Sequence, residues 1–214
     1  MSYVLRWSIF IVGVMIFSFG IALTINMQHL GIHPWDVLNV AFSNNVGLSI
    51  GSWNIIISIV LIIFSLFLDK SYVKLGTFAN AILVGMFVDL YLWLDFLPVV
   101  TNTWVDVIMM LAGIVIMGFG GGMYNAAGVG SGPRDGFMLS ISDKLGAPIG
   151  RVRIITESAV LVIGLLIGGP VFLFTFIFTF IQSPIFQYSY LRVGKFVLKM
   201  EYNVNRLPGR KHGT

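Results

Sequence analysis

The sequence predicts an all-α polytopic membrane protein. Six transmembrane helices are expected as a 3+3 inverted-topology repeat, each half carrying a short re-entrant or interfacial helix. Three observations predict it. Apolar residues make up 57% of the 214 and charged residues only 10%, with a mean hydropathy of +0.92. Soluble domains carry about 25% charged residues, so this chain cannot cover a surface facing water. Six apolar runs approach the ~20 residues that a helical span needs. A glycine- and proline-marked stretch is written twice along the chain.

The runs fall at 7–27, 50–68, 75–94, 106–127, 152–169 and 170–191. Arg6 precedes the first of them. Its apolar core is longer than the roughly 7–15 residues of a secretory signal, and no small-x-small cleavage site follows, so it reads as a retained span. Gly168, Gly169 and Pro170 join the last two runs as a tight turn, which predicts an antiparallel hairpin. Trp7, Tyr91, Trp93, Trp104, Tyr188 and Tyr190 stand near run ends, where amphipathic rings favour the interface.

Charge placement orients the spans. With the N-terminus inside, segments 1–6, 69–74, 128–151 and 192–214, together with Arg153, hold all 13 lysines and arginines. The outer connections hold none. Such a bias sets topology and puts both termini in the cytoplasm. Residues 1–192 are therefore read as one transmembrane domain, with repeats at about 7–97 and 104–192, and 193–214 as a basic cytoplasmic tail. The net charge of +4 belongs beside anionic membrane lipids rather than nucleic acid. Membrane lipids and a small-molecule solute are the expected partners, and a homodimer is compatible with the chain.

The repeat pairs "GIHPWDVLNVAFSNNVGLSIG" (Gly31 to Gly51) with "GSGPRDGFMLSISDKLGAPIG" (Gly130 to Gly150) without gaps. Gly31, Pro34, Asp36, Ser43, Gly47, Ile50 and Gly51 recur as Gly130, Pro133, Asp135, Ser142, Gly146, Ile149 and Gly150. An odd number of spans separates the copies, so the second enters the membrane from the opposite side. Inverted repeats of this kind build many secondary transporters. Proline suits the first turn of a helix. Asp36 and Asp135 then lie near free amides and the positive end of the helix dipole. Gly47 and Gly146 stop the helix about a dozen residues on, too soon for it to span.

Several strings resemble the YczE/YitT-type bacterial membrane proteins, most closely the YczE branch. They are "HPWDVL" (His33 to Leu38), "GTFAN" (Gly76 to Asn80) followed by Gly85 and Asp89, "GSGPRDGFML" (Gly130 to Leu139), and "VRIITE" (Val152 to Glu157) with Gly168 and Gly169. The resemblance implies a bacterial inner-membrane protein of a kind described as a transporter, without a settled substrate. Such proteins usually carry a Gly-x-Gly-Thr entry and a Gly-Pro in the last span. Here that span keeps Thr175 and Pro184 without those glycines.

The candidate substrate-binding residues are Trp35, Asp36, Asn80, Asp89, Asn125, Gly130, Gly132, Arg134, Asp135, Arg153 and Glu157. Ionisable groups in hydrocarbon are costly and mark function. Arg153 lies one helical turn before Glu157 on the same face, and Arg134 is placed to approach that pair. The glycines ahead of Pro133 serve packing and tight turning or contact an anion. They lack the lysine of a P-loop.

No catalytic role is assigned, so the chain is not expected to be an enzyme. The sequence has no cysteine, no HExxH and no Ser-His-Asp pattern. His29 and His33 beside a proline do not make a metal set. Neither metal nor cofactor is expected. The leading reading is a secondary transporter of a small anionic or zwitterionic solute, working by alternating access. The alternative is a non-transporting lipid-handling or scaffold protein that assists an enzyme or export system.

Overall fold

The computed structural model describes residues 2–94 and 96–206, all in helices and their connections. Eight α-helices follow in order: α1 Ser2–Asn26, α2 Pro34–Val46, α3 Ile50–Leu68, α4 Leu75–Trp93, α5 Trp104–Ala126, α6 Pro133–Leu145, α7 Ile149–Leu166 and α8 Leu173–Arg206. The second four repeat the lengths and spacing of the first four, apart from the extension of α8. Among the described residues, four helices are long and apolar enough to cross a membrane: α1 from Tyr3, α3, α4 and α5. α7 carries Arg151, Arg153 and Glu157, and α8 is broken in composition by Gln182, Ser183, Pro184 and Gln187.

The distribution of side chains is that of a protein solvated by lipid. On α3 the buried positions are Gly51, Asn54, Ser58, Leu61, Ile62 and Ser65, whereas Ile59, Val60, Ile63, Phe64 and Phe67 are exposed. A water-facing helix shows the reverse pattern. Exposed apolar area on this scale needs an apolar solvent, and the chain is therefore membrane-embedded.

α1 and α5 form the centre, packed along their lengths. Glycines make that closeness possible, because without a Cβ two backbones can meet. A Cβ on Gly20 would lie 2.5 Å from the Met117 nitrogen, and one on Gly13 would lie 2.6 Å from that of Tyr124. α4 packs on α1, and α8 on α5. α3 packs on α4 of its own half, and two pairs cross over between the halves: α2 lies on α7, and α3 also on α6. Each half is thus clasped by the other.

α2 and α6 begin and end where the sequence places them. Pro34 and Pro133 open the helices. Gly47 (φ 88°) and Gly146 (φ 59°) close them in the positive-φ region that glycine enters without strain. From Pro34 to Ala41 every residue of α2 is buried, so its first two turns run through the interior of the bundle.

Three details differ from the sequence expectations. α7 starts at Ile149 behind Pro148, three residues before the expected span. α7 and α8 are not a closely packed hairpin, since α7 packs on α2 and α8 on α5. Their connection spans 167–172, where Gly168 takes φ 88° and a Cβ on Gly169 would lie 2.6 Å from Val37. α8 then continues past residue 192 to Arg206 with Pro184 inside it. The last stretch of the expected basic tail, 207–214, lies outside the described residues.

Candidate functional site

The N-termini of α2 and α6 converge on a cavity of about 70 Å³ at the centre of the molecule. Each brings its motif: His33 and Trp35 from the first copy, Gly132, Pro133, Arg134 and Asp135 from the second. Asn54 and Ser58 of α3, Asn80 of α4 and Tyr124 of α5 add polar groups, as do Arg153 and Glu157 of α7 and Thr179 and Gln182 of α8. Two helix N-termini aimed at one cavity add partial positive charge there.

Trp35 and Arg134 occupy equivalent positions of the two copies, and they meet. The Arg134 guanidinium carbon lies 5.5 Å from the Trp35 ring centroid, a cation–π arrangement. Its Nη2 donates to Asp36 Oδ1 at 3.1 Å and to Asn54 Oδ1 at 2.8 Å. Asp36 has no exposed surface. The sequence suggested that its carboxylate serves the helix amides. It binds Arg134 instead, while Asn39 Nδ2 approaches Oδ1 at 3.5 Å and Oδ2 is left without a donor. The side chain accepting from the α2 amides is His33, whose Nδ1 receives the Trp35 N–H at 3.4 Å.

A second cluster stands beside the first. Arg153 Nη2 donates to Asp135 Oδ1 at 3.1 Å, and Arg153 Nε lies 3.6 Å from Glu157 Oε1. That separation is an ion pair but too long for a hydrogen bond, and Nε has no other partner. Glu157 Oε2 accepts from the Thr179 hydroxyl at 3.0 Å, the polar link from α7 to α8. His33 Nε2 lies 4.0 Å from Glu157 Oε1. The expected approach of Arg134 to Glu157 is not a contact, because Arg134 is engaged by Asp36 and Asn54 across the repeat boundary.

A larger cavity of about 520 Å³ adjoins the first on the side of the connection from α3 to α4. Asp135, Met138, Arg153 and Phe186 line both, so the Arg153–Asp135 pair forms part of the wall between them. Ser71, Tyr72, Lys74, Asn125, Gly130 and Gly150 line only the larger one. The equivalent seam in the first half is shut. A Cβ on Gly51 would collide with the Gly85 carbonyl and with Asp89, whereas one on Gly150 would have nothing within 4 Å.

The remaining sequence candidates separate by position. Asp89 is not at the cavity. It caps α3, accepting from the Gly51 N–H at 2.8 Å and from the Ser49 hydroxyl. Gly130 packs on α4, where a Cβ would lie 2.5 Å from the Thr77 nitrogen. Asn125 donates to the Gly121 carbonyl at 3.0 Å within its own helix. His29 pairs with Asp106 at 3.1 Å, away from His33. Sequence reasoning missed His33, Tyr124 and Thr179 as cavity residues. Only the position of His33, directly ahead of Pro34, gave a signal, as a helix N-cap. Among the described residues no group of His, Asp and Glu has the arrangement of a metal site.

Residues 4–190 match a family of unknown function, DUF6198. The chain belongs to this family. Its similarity to the uncharacterized membrane protein YczE of Bacillus subtilis (strain 168) is 33% identity, covering 87% of this chain and 86% of that protein. It is 30% identical to the uncharacterized protein YyaS of the same organism, over 75% of this chain and 80% of the relative. An uncharacterized protein of Haemophilus influenzae is 31% identical, over 85% and 81%. No solved structure matches the chain. The match to DUF6198 takes in α2, α6 and every residue around the two cavities, so the cavity belongs to the part of the chain that aligns with the family.

Proposed function

We propose that this DUF6198 protein is a secondary carrier of a small anionic or zwitterionic solute across the bacterial inner membrane. In this reading all six long helices span. The chain is a 3+3 inverted repeat with both termini cytoplasmic, and α2 and α6 are its re-entrant half-helices. The meeting of Trp35 with Arg134 at the central cavity carries the reading. A duplicated motif that merely joined spans would lie at two separate surfaces. Here two copies bring equivalent positions to one polar chamber, as in carriers that bind at the repeat interface.

The unequal seams supply the two-sidedness that alternating access requires. The seam at Gly51 and Gly85 is closed, while the equivalent place at Gly150 opens into the larger cavity. On the charge-bias orientation, that opening faces the cytoplasm. Exchanging the two arrangements would expose the chamber to the other side, with the solute favouring whichever state it binds better.

The test is uptake by liposomes containing the purified protein alone. Counterflow of a small amino or carboxylic acid that needs no other protein supports a carrier. Function that appears only with a second protein present would return the lipid-handling or scaffold alternative.

A further inference from the structure

The central cavity presents both kinds of unmet hydrogen-bonding group. Trp35 Nε1–H is a buried donor without a partner, and the Asn80 amide, which carries two N–H groups, meets the Tyr124 hydroxyl with one N–H to spare. The Trp35 and Asn80 residues are 3% and 4% exposed and line the cavity. On the acceptor side, Glu157 Oε1 has Arg153 Nε at 3.6 Å and His33 Nε2 at 4.0 Å, both beyond hydrogen-bond reach. Asp135 uses Oδ1 for Arg153. Buried donors normally find partners, so Trp35 and Asn80 mark a place for an acceptor brought by something else, and the carboxylate oxygens of Glu157 and Asp135 beside them can take a donor.

The charges point the same way. Arg134 and Arg153 face three carboxylates, Asp36, Asp135 and Glu157. His33 does not redress the difference. Its Nδ1 accepts the Trp35 N–H, which leaves the ring neutral with its proton on Nε2. Counted by side chains alone, the cluster holds one more carboxyl group than cation. A purely anionic solute would widen that difference. A cation alone would leave the tryptophan and asparagine donors, and the converging helix N-termini, without an acceptor.

We infer that the cavity takes a small zwitterion, with its cationic group on the Asp135 and Glu157 oxygens that Arg153 does not hydrogen-bond and its carboxylate on Trp35 Nε1–H and Asn80 Nδ2–H. This deepens the carrier reading and rests on it. Size narrows the class. At about 70 Å³ the cavity is far smaller than the roughly 300–1,000 Å³ of a drug-sized ligand pocket, so it suits a small solute: glycine and alanine are the smallest zwitterionic amino acids, and larger ones need the chamber to expand into its neighbour.

The experiment uses the full-length protein in lipid nanodiscs at fixed salt, with binding followed by calorimetry and thermal unfolding. Glycine and L-alanine are compared with L-lactate, in which a hydroxyl replaces the ammonium, and with isopropylamine, in which a methyl replaces the carboxylate. Binding of glycine or alanine at least tenfold tighter than either analogue supports the inference. Equal binding of lactate, equal binding of isopropylamine, or no binding of either amino acid overturns it. Glu157→Gln removes one of the three carboxyl groups while keeping an acceptor for Thr179, and should weaken alanine binding at least tenfold. The unaltered chain decides the matter even if that variant does not fold. Liposome uptake separates the two readings: alanine that binds without entering defeats the carrier, whereas lactate carried in preference to alanine defeats the zwitterion.

Discussion

The Arg134 guanidinium reaches from the start of α6 to Asp36 at the start of α2, at 3.1 Å, joining the two copies of the motif through a carboxylate with no exposed surface. Removing one partner of such a pair leaves an uncompensated buried charge, at a cost of about 3–5 kcal/mol. Arg134→Gln should therefore lower the thermal midpoint by far more than a surface change. The double variant Arg134→Gln with Asp36→Asn should recover much of the loss. Equal midpoints for the single and double variants would show that the pair does not hold the halves together.

The two glycines at equivalent ends of α3 and α7 should respond differently to enlargement. Gly51→Val drives a side chain into the Gly85 backbone and Asp89 and should reduce the folded yield. Gly150→Val meets open space and should fold as the parent does. If the open seam must close during a transport cycle, Gly150→Val will bind solute yet lose most of its flux. Unimpaired flux would mean that this seam stays open.

The wall between the cavities is held by a partly exposed ion pair. Arg153 and Asp135 side chains are 37% and 25% exposed, and such pairs contribute only about 0–1 kcal/mol. Opening it should cost little. Thr179→Cys should react slowly with a small thiol reagent, and several-fold faster when combined with Arg153→Ala. No change in rate would place the barrier elsewhere, at Met138 or Phe186.

Topology is the most direct check on the proposed orientation. The chain lacks cysteine, and Asn44, Lys70, Asn102 and Lys144 are exposed. Single cysteines at 44 and 102 should react with an impermeant reagent in intact cells. Those at 70 and 144 should react only after permeabilisation. Labelling at 144 from outside would end the inverted-repeat reading.

Much of this fold was legible because its signals are local. Pro34, Pro133, Gly47 and Gly146 bound α2 and α6 through backbone preferences that neighbours do not override. The expected span began at 152, although α7 starts at Ile149 and a glycine one residue inside a helix costs only about 1 kcal/mol. Pro184 likewise leaves α8 unbroken, as membrane helices tolerate. Partnerships across the molecule were not legible. Arg134 lies close in sequence to Glu157, and nothing local says that it turns instead to a carboxylate in the other repeat. Asp89 shows the converse error, an acid in an apolar run that serves as a helix cap.

The crossing of α2 onto α7 and α3 onto α6 bears on how the chain is made. A ribosome delivers Asp36 to the membrane well before it delivers Arg134, and it delivers Val37 before the Gly169 backbone that will cover it. The first half must wait in the lipid with α2 uncovered by α7 and the Asp36 carboxylate without its arginine until the second arrives. Insertases and quality-control proteases would meet this intermediate during every round of synthesis. A transcript cut between the repeats should yield a product that is degraded, not a stable half-protein, and co-expression of the two halves should rescue both.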